Sequence, residues 1–332
     1  MTGRVVRVTA GSRLHFGMLS FGQPGRRQFG GAGAMISAPA LVLAIRESDR
    51  FQVAGSLADR VEEFVSQIAC RASWWKNGMQ FRIDVEQSPA LHAGLGCGTQ
   101  LGMALAHGLA AWFQATPQPA EKLAAAVGRG KRSAVGLYGA SLGGLIVEGG
   151  KLNDDEISPL VGRTALPEEW RFVLMIPAVA AGLSGDTEQA AFDRLPPVPL
   201  ETTAALFREL VCELVPAAAQ GNFERFGESL YRYGQLAGEC FAAQQGGIYA
   251  SPAIERLVAR CRDLGVWGVG QSSWGPTVFA LCRQQADAQR LVDSLASAGE
   301  LNQAGITIAA PDNRGIRVEL LDGSSIVQPK PA

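Results

Sequence analysis

The pattern of hydrophobic and polar positions alternates between strand-like and helix-like segments in the first half of the chain. Short β-branched or alternating stretches, typical of strands, occur at 4–10, 40–45 and 79–86. Apolar residues at 57, 61, 64, 65 and 68 recur at the helical period and form one stripe. From Thr99 to Phe113 a helical pattern is apolar on nearly all sides, so we expect a buried helix there.

The second half begins with a strand, RFVLMIP, after a polar stretch over 151–169. Long helical patterns follow, over about 200–216, 220–243 and 252–264, and the end alternates between short strands and one helix. Such a tail beside helices predicts an α+β domain with a mostly antiparallel sheet. We therefore predict two domains, residues 1–165 and 166–332.

Composition excludes several classes of protein. A chain of 332 residues suits two domains, and its net charge of −1 predicts no broad basic face for nucleic acid. The N-terminus lacks the apolar core of a signal peptide, and we find no apolar run long enough to span a bilayer. Six dispersed cysteines and three histidines do not favour a zinc site. We expect a cytoplasmic protein that binds no membrane, with a homodimer left open.

Charge is unevenly distributed. Residues 1–46 contain six arginines and no acidic residue, and residues 87–120 contain no charged residue at all. A basic run, RGKR, follows at 129–132 and ends on Arg132. The loops of the first half are therefore suited to binding anions.

A glycine-rich loop, GLGCGTQ, lies between the strand at 79–86 and the helix at 99–113. Its N–H groups would lie at a helix N-terminus, where the helix dipole favours a phosphate. The glycines allow close approach of a ligand, Thr99 could cap the helix or donate to the phosphate, and Gln100 could reach the same ligand. The alternative is a tight strand-to-helix turn without a ligand. We favour phosphate binding by Gly94, Gly96, Cys97, Gly98, Thr99 and Gln100.

Three motifs together resemble the galactokinase/homoserine kinase/mevalonate kinase (GHMP) superfamily. SPALHAGLGCGTQ is similar to its central motif and VGQSSWGPTVFAL to its third, and GSRLHFGML with FGGAGAMIS falls where its N-terminal strands and loop lie. Within the superfamily, RLHFG, GLGCGTQ and GQSSWGP resemble the β-ribofuranosylaminobenzene 5′-phosphate synthases. The resemblance runs across most of the chain and implies a two-domain α+β fold, with a ferredoxin-like second domain.

The chain departs from the kinases of this superfamily at two positions. Their catalytic Asp aligns with Gly136 in KRSAVGLYGASLGG, and no other loop carboxylate within 87–147 could replace it. Their metal-binding Ser aligns with Cys97 or Gly98, which are poor ligands for Mg²⁺. The sequence therefore indicates the kinase scaffold without kinase chemistry. Cys97 also replaces the Ser expected in the synthase family, a departure that would suit a divergent paralogue.

The synthase resemblance implies condensation of 5-phosphoribosyl 1-diphosphate with 4-aminobenzoate or 4-hydroxybenzoate, releasing diphosphate and CO₂, in tetrahydromethanopterin synthesis. No ring proton has to be removed, so no strong general base is expected. The site must stabilise anions, with Mg²⁺ as counter-ion of the diphosphate. We expect the glycine loop to hold the diphosphate, and Arg13, His15, Arg26 or Arg27 to hold the 5′-phosphate or the carboxylate.

Other candidates have structural alternatives. Arg13 could form an ion pair, and His15 could be a satisfied core histidine. Gly30, Gly31 and Gly33 could form a second anion-binding turn or a plain loop.

In the second half, Ser184, Asp186 and Glu188 could face the ribosyl cation or hold Mg²⁺, or could merely cap a helix. Gln271, Ser272 and Ser273 offer hydrogen-bond donors, and Trp274 could stack on the aromatic substrate or cap the interdomain core.

Two other functions stay open: an ATP-dependent small-molecule kinase that takes its base from elsewhere, and a non-catalytic binding protein.

Overall fold

The computed structural model describes residues 3–76, 78, 80–177, 192, 194–297 and 305–321. Within these ranges seven strands form a first sheet, ordered β11-β1-β2-β4-β3 with β5 and β6 branching from β2. The pairing of β3 with β4 is parallel, whereas the others are antiparallel. The strands are β1 (Val5–Ser20), β2 (Phe29–Glu47), β3 (Gln52–Gly55), β4 (Phe81–Gln87), β5 (Leu145–Glu148), β6 (Leu160–Thr164) and β11 (Arg317–Leu321).

A second sheet of four described strands is antiparallel throughout, in the order β10-β7-β9-β8. Its strands are β7 (Arg171–Ile176), β8 (Val269–Gln271), β9 (Val278–Cys282) and β10 (Gly305–Ala309). Both the predicted α+β class and the antiparallel sheet of the second half are confirmed.

Helices cover both sheets, and a π-helical turn (Glu209–Leu214) joins two of them, α5 and α6. The helices are α1 (Ala58–Arg71), α2 (Cys97–Trp112), α3 (Ala120–Ala126), α4 (Val135–Leu142), α5 (Leu200–Arg208), α6 (Val215–Ala219), α7 (Phe223–Glu239), α8 (Ala242–Gln245), α9 (Pro252–Asp263) and α10 (Gln285–Ser297). Within the ranges described above, none of them combines the length and apolar character needed to cross a bilayer.

The first core lies between the first sheet and α1 to α4. The predicted stripe of α1 is buried at Val61, Phe64, Val65 and Ile68. Helix α2 is buried on most of its surface, as its apolar pattern predicts. Because Gly108 has no side chain, α2 lies close to the sheet: a Cβ there would be 2.8 Å from the side chain of Val8.

A second core joins the two sheets. Leu14 and Phe16 of β1 lie in one cluster with Phe172 and Phe279 of the second sheet. The rings of Phe16 and Phe279 are 5.5 Å apart. Residues at this end of β1 are therefore held between the two halves of the molecule.

The predicted division at residue 165 falls between β6 and β7. The last described strand, β11, nevertheless pairs with β1, with Leu321 opposite Val5. The chain thus returns to the first sheet after the second is complete. The division into residues 1–165 and 166–332 stays a prediction.

Candidate anion and aryl site

The glycine loop forms the N-terminus of the buried helix α2. Gly96 is the N-cap, with a left-handed φ of 72°, and its carbonyl accepts the N–H groups of Thr99 and Gln100 at 3.0 Å each. The N–H groups of Cys97 and Gly98 are at the first helical positions, where helix geometry gives them no intrahelical partner. The positive end of the helix dipole is at the same place, so the loop is suited to an anion.

Two guanidinium groups flank this loop. The Arg13 N–H donates to Leu95 O at 2.9 Å, and a Cβ on Gly96 would lie 3.1 Å from Arg13 Nε. A Cβ on Gly98 would lie 3.2 Å from an Nη of Arg129. Both arginines therefore lie where side chains at the loop glycines would otherwise be, and their charge adds to that of the helix terminus.

Arg129 was not among the predicted site residues, although the basic run at 129–132 was the signal that could have found it. Burial lowers the pKa of Arg129, and the nearby charge of Arg60 lowers it further, against an opposing effect of Glu63. An anion bound at the loop would offset this desolvation.

Gly136, the position that aligns with the kinase Asp, faces the same loop. A Cβ on Gly136 would lie 3.1 Å from Thr99 Cγ2 and 3.6 Å from Arg13 Cδ. Gln100 is buried and donates from Nε2 to Gly136 O at 3.0 Å, and its Oε1 has no hydrogen-bond partner among the described residues. The glycine loop, Arg13 and Gly136 therefore belong to one site.

The third motif is bonded directly to the glycine loop. Ser272, which is fully buried, donates to Gly94 O at 2.8 Å and accepts the His15 N–H at 3.1 Å. Thr277 donates to Ala93 O at 2.6 Å. A Cβ on Gly94 would lie only 2.4 Å from Ser272 O, so the two backbones meet at a distance that only glycine allows. Ser272 thus holds the loop rather than facing the cleft.

A cavity of about 560 Å³, counting its open mouth, lies beside His15 and is lined mainly by apolar and aromatic groups. Trp274 is in its wall, stacked on Phe192 at 5.3 Å and edge-on to Phe241 at 5.2 Å. Both interpretations of Trp274 are therefore compatible with its position. Gln271 and Ser273 also line the cavity, and Gln271 is bonded through Oε1 to Ala250 N and through Nε2 to Ser273 O.

His15 joins the cavity to the interior. His15 is one of the residues that line the cavity, although only 3% of it is exposed. Burial holds the pKa of His15 well below its usual range, and the charge of Arg13 lowers it further. The ring Nε2 is 3.1 Å from Ser133 Oγ, which donates to Glu148 Oε1 at 2.6 Å. His15 is therefore both a buried histidine with a hydrogen-bond partner and a residue of the cavity wall.

Glu148 is the carboxylate that the sequence analysis missed. It lies one position beyond the range 87–147 searched for a replacement of the kinase Asp, in the apolar strand LIVE before two glycines. An acidic residue in a short buried strand was the available signal. Burial raises the pKa of Glu148, while hydrogen bonds from Ser133 and Ala134 lower it.

The predicted second anion-binding turn at Gly30, Gly31 and Gly33 is wrong. Gly30, Gly31 and Gly33 are buried in β2, not in a turn. A Cβ on Gly31 would lie 2.2 Å from Gly17 O, and one on Gly33 would lie 2.2 Å from Leu14 O. These glycines therefore allow close packing of strands.

Arg26 and Arg27 are both exposed, in the connection between β1 and β2. Arg27 Nη1 donates to Gly150 O at 2.8 Å, and neither arginine is among the described residues that line the cavity. Arg132 is closer to it, with its guanidinium over the Phe192 ring at 5.1 Å. The assignment of each arginine to an anion stays a prediction.

Cys97 is a buried thiol whose Sγ donates to Pro89 O at 3.6 Å. Burial raises its pKa to about 11, so the free thiol is neutral near pH 7 and a poor nucleophile. In the ranges that could be described, no cluster of three or more His, Cys, Asp or Glu side chains is placed to bind a metal ion. The predicted residues Ser184, Asp186 and Glu188 lie outside the described residues.

Several known proteins are similar to this chain in sequence or in fold. A family model described as GHMP kinases C terminal matches residues 214–301. A beta-ribofuranosylphenol 5′-phosphate synthase from Methanothermobacter thermautotrophicus is 29% identical over 81% of this chain and 86% of its own length. An enzyme of the same name from Archaeoglobus fulgidus is 28% identical over 95% of this chain and 100% of its own length.

Among solved structures, a homoserine kinase from Cytophaga hutchinsonii matches with a TM-score of 0.66 at 16% identity. The match covers 95% of this chain and 97% of the kinase chain. At this identity the likeness concerns the fold. The chain therefore has the fold of the GHMP kinases, and its sequence is similar over most of its length to the beta-ribofuranosylphenol 5′-phosphate synthases.

Proposed function

We propose that this protein is a decarboxylating C-riboside synthase. It joins C1 of 5-phosphoribosyl 1-diphosphate to the ring carbon that carries the carboxylate of 4-hydroxybenzoate or 4-aminobenzoate, and releases diphosphate and CO₂. The observation that carries the proposal is the similarity, across 81% and 95% of the chain, to two proteins named as synthases of a ribofuranosylphenol 5′-phosphate. The name of these relatives puts a phenol in their product, so 4-hydroxybenzoate is the first acceptor to test.

The glycine loop supports the donor half of the reaction. Departure of diphosphate from C1 transfers negative charge to its oxygens, and N–H groups at the start of α2 lie at the positive end of a buried helix. The guanidinium groups of Arg13 and Arg129 flank the same loop. Mg²⁺ would accompany the diphosphate as its counter-ion, and no step depends on a protein ligand for it.

The aromatic cavity supports the acceptor half. A benzoate ring is flat and apolar, and the wall formed by Trp274, Phe192 and Phe241 offers aromatic faces and edges. Among the lining residues that the structure describes there is no Asp or Glu, so an aryl carboxylate entering there meets no like charge. Arg132, which lies over Phe192, would attract it.

The cavity and the loop meet at β1. Arg13 and His15 are two positions apart on one strand, so their side chains leave the same face of the sheet. Arg13 lies at the glycine loop, and His15 lies in the cavity wall. A ribosyl donor held at the loop would therefore present C1 toward an aryl ring in the cavity.

A kinase receives less support from the same residues. Gly136 offers no carboxylate to deprotonate an alcohol, and Cys97 is a neutral, buried thiol at the position where a metal-binding hydroxyl would be needed. We therefore do not propose ATP-dependent phosphoryl transfer, and the experiment below tests for it.

The test mixes the protein with 5-phosphoribosyl 1-diphosphate, Mg²⁺ and carboxyl-labelled 4-hydroxybenzoate or 4-aminobenzoate, and measures labelled CO₂. A parallel reaction follows ATP consumption with candidate alcohols. We expect CO₂ release without ATP use. ATP use without CO₂ release would establish the kinase, and tight binding of the donor with neither reaction would establish a binding protein.

Arg129→Ala should raise KM for the ribosyl donor roughly tenfold or more, because a charge-assisted hydrogen bond is worth about 1.5–3 kcal/mol. Arg82→Ala is the matched control, since Arg82 is exposed and paired with Asp84 on β4. An unchanged KM in Arg129→Ala would remove this arginine from the donor site.

A further inference from the structure

A chain of hydrogen bonds leads from the cavity wall into the interior of the first sheet. His15 Nε2 is 3.1 Å from Ser133 Oγ, Ser133 Oγ donates to Glu148 Oε1 at 2.6 Å, and Ala134 N–H donates to Glu148 Oε2 at 2.8 Å. Glu148 is fully buried. Anion binding by the site requires neither Ser133 nor Glu148, so a buried carboxylate at this place calls for its own explanation.

The strand register explains how the three residues meet. His15 is opposite Gly33 across β1 and β2, and Glu148 is opposite Gly31 across β2 and β5. A Cβ on Gly33 would lie 2.8 Å from the side chain of Val135, so the glycine leaves room for the start of α4. Ser133, just before α4, is thereby placed between the histidine and the glutamate.

The donors and acceptors fix the tautomer of His15. Ser133 has one hydroxyl proton, and it is donated to Glu148, so Ser133 Oγ accepts from His15 Nε2–H. The other ring nitrogen, Nδ1, is then the acceptor of the imidazole. When Nδ1 accepts a proton, Nε2 can pass its own proton to Ser133 Oγ. Ser133 can in turn pass its hydroxyl proton to Glu148.

The electrostatics decide where such a proton would rest. Burial and the charge of Arg13 lower the pKa of His15, so an imidazolium is disfavoured. Burial raises the pKa of Glu148, so a neutral carboxyl is tolerated there. The chain can therefore accept a proton at the Glu148 end without placing a second positive charge beside Arg13.

We propose that His15, Ser133 and Glu148 form a proton relay that takes the hydroxyl proton of a 4-hydroxybenzoate as the carbon–carbon bond forms and returns it as CO₂ leaves. The inference rests on the proposed function and adds a general base to it. His15 is the catalytic residue, since it lines the cavity, and Ser133 and Glu148 act through it.

The steps balance. The ring carbon para to the hydroxyl attacks C1 of the ribosyl group as diphosphate leaves, and the hydroxyl proton passes to His15 Nδ1 while Glu148 receives the proton of Ser133. The product of this step is a cyclohexadienone that carries both the ribosyl group and the carboxylate on one carbon. Cleavage of the carbon–carboxylate bond releases CO₂ and returns the electron pair to the ring. The resulting phenolate recovers its proton from the relay, so no proton is consumed.

Other ionisable groups near the relay do not take over this role at neutral pH. Burial raises the pKa of Tyr138 to about 12 and also raises that of Tyr233, so both remain neutral phenols. Among the described residues, two cationic side chains are close to the relay: Arg13 on β1, whose charge acts on His15, and Arg132, which precedes Ser133 in the chain.

The test compares the pH dependence of kcat in the wild-type protein and in Ser133→Ala, using labelled 4-hydroxybenzoate and CO₂ release. Ser133→Ala breaks the relay but leaves His15 and Glu148 in place. We expect kcat to fall on the order of 10²-fold near pH 7, a usual contribution of general base catalysis, with KM for the ribosyl donor unchanged. The remaining activity should rise about tenfold per pH unit toward ~10, the ordinary pKa of a phenol, while the wild-type profile stays flat from pH 6.5 to 8.5.

Ser133→Thr, which retains the hydroxyl, should restore both rate and flat profile, and Glu148→Gln should resemble Ser133→Ala. Circular dichroism and thermal unfolding identify any variant that fails to fold, in which case the other variant decides. If the wild-type protein releases CO₂ and the pH profile of Ser133→Ala is parallel to that of the wild type, the relay is overturned but the proposed function is not. Absence of CO₂ release from the wild-type protein would overturn the proposed function as well.

Discussion

Ser272 donates a hydrogen bond of 2.8 Å to the carbonyl of Gly94, a residue 178 positions earlier in the chain. Its hydroxyl oxygen also accepts the N–H of His15. One side chain thereby connects the glycine loop, the third motif and the strand that carries Arg13 and His15. The anion site and the aromatic cavity are held in a fixed relation by this connection.

Ser272→Ala should destabilise the protein and lower activity together. The substitution leaves the buried His15 N–H and the partly buried Gly94 O without this partner, at a cost of about 1–3 kcal/mol for a fully buried group. Chemical unfolding and kcat/KM measure the two effects. Ser294→Ala is the matched control, because Ser294 donates a similar 2.8 Å bond to Arg290 O on the exposed face of α10. Equal stabilities of the two variants would show that Ser272 does not hold the motifs together.

Gly94→Ala should lower the stability of the fold, whereas Gly98→Ala should lower only the affinity for diphosphate. Gly94 has a φ of +85°, and its Cβ would lie 2.4 Å from Ser272 O, so Gly94→Ala should cost more than ~2 kcal/mol through left-handed strain and backbone overlap. Gly98 lies in α2, and its Cβ would meet only the flexible end of Arg129, at 3.2 Å. Gly98→Ala should therefore fold normally and weaken diphosphate binding roughly tenfold. Calorimetric titration with diphosphate checks this, and an unaltered Kd would locate the anion elsewhere.

Gly136→Asp should lower synthase activity without creating a kinase. The new carboxylate would lie beside Arg13, and it would compete with the substrate for the positive charge. Cys97 would still offer no hard oxygen to a metal ion. Gly136→Asn adds a side chain of the same size without the charge, so it should retain more activity at the same stability. Appearance of ATP-dependent phosphoryl transfer in Gly136→Asp would favour the kinase assignment.

Stability should fall in acid because of a partly buried histidine in α2, His107. Burial lowers the pKa of His107 from 6.5 to about 4, and its Nε2 is 3.3 Å from Ser141 Oγ. Between these values the unfolded chain binds a proton that the folded chain does not, so the free energy of unfolding decreases as the pH falls from about 6.5 to 4. His107→Gln should flatten this part of the stability curve. An unaltered curve in His107→Gln would assign the acid effect to other groups.

The sequence by itself determined the helices and strands and predicted anion binding by the glycine loop, because both depend on the local order of residues. The apolar stripe of α1, the all-round apolar pattern of α2 and the antiparallel tail follow from the period of each segment. The resemblance to the synthases and the glycine at the kinase Asp position were visible in the order of residues alone.

Tertiary structure alone decided which distant residues share the site. Arg129 reaches the loop because α3 packs on α2, and Glu148 meets His15 because β1, β2 and β5 pair in one register. Gly31 and Gly33 serve strand packing, although alone they suggest a flexible turn. The physical reason is that periodicity and backbone freedom are properties of neighbouring residues, whereas His15 and Ser133 are 118 positions apart and meet only through the pairing of the strands between them.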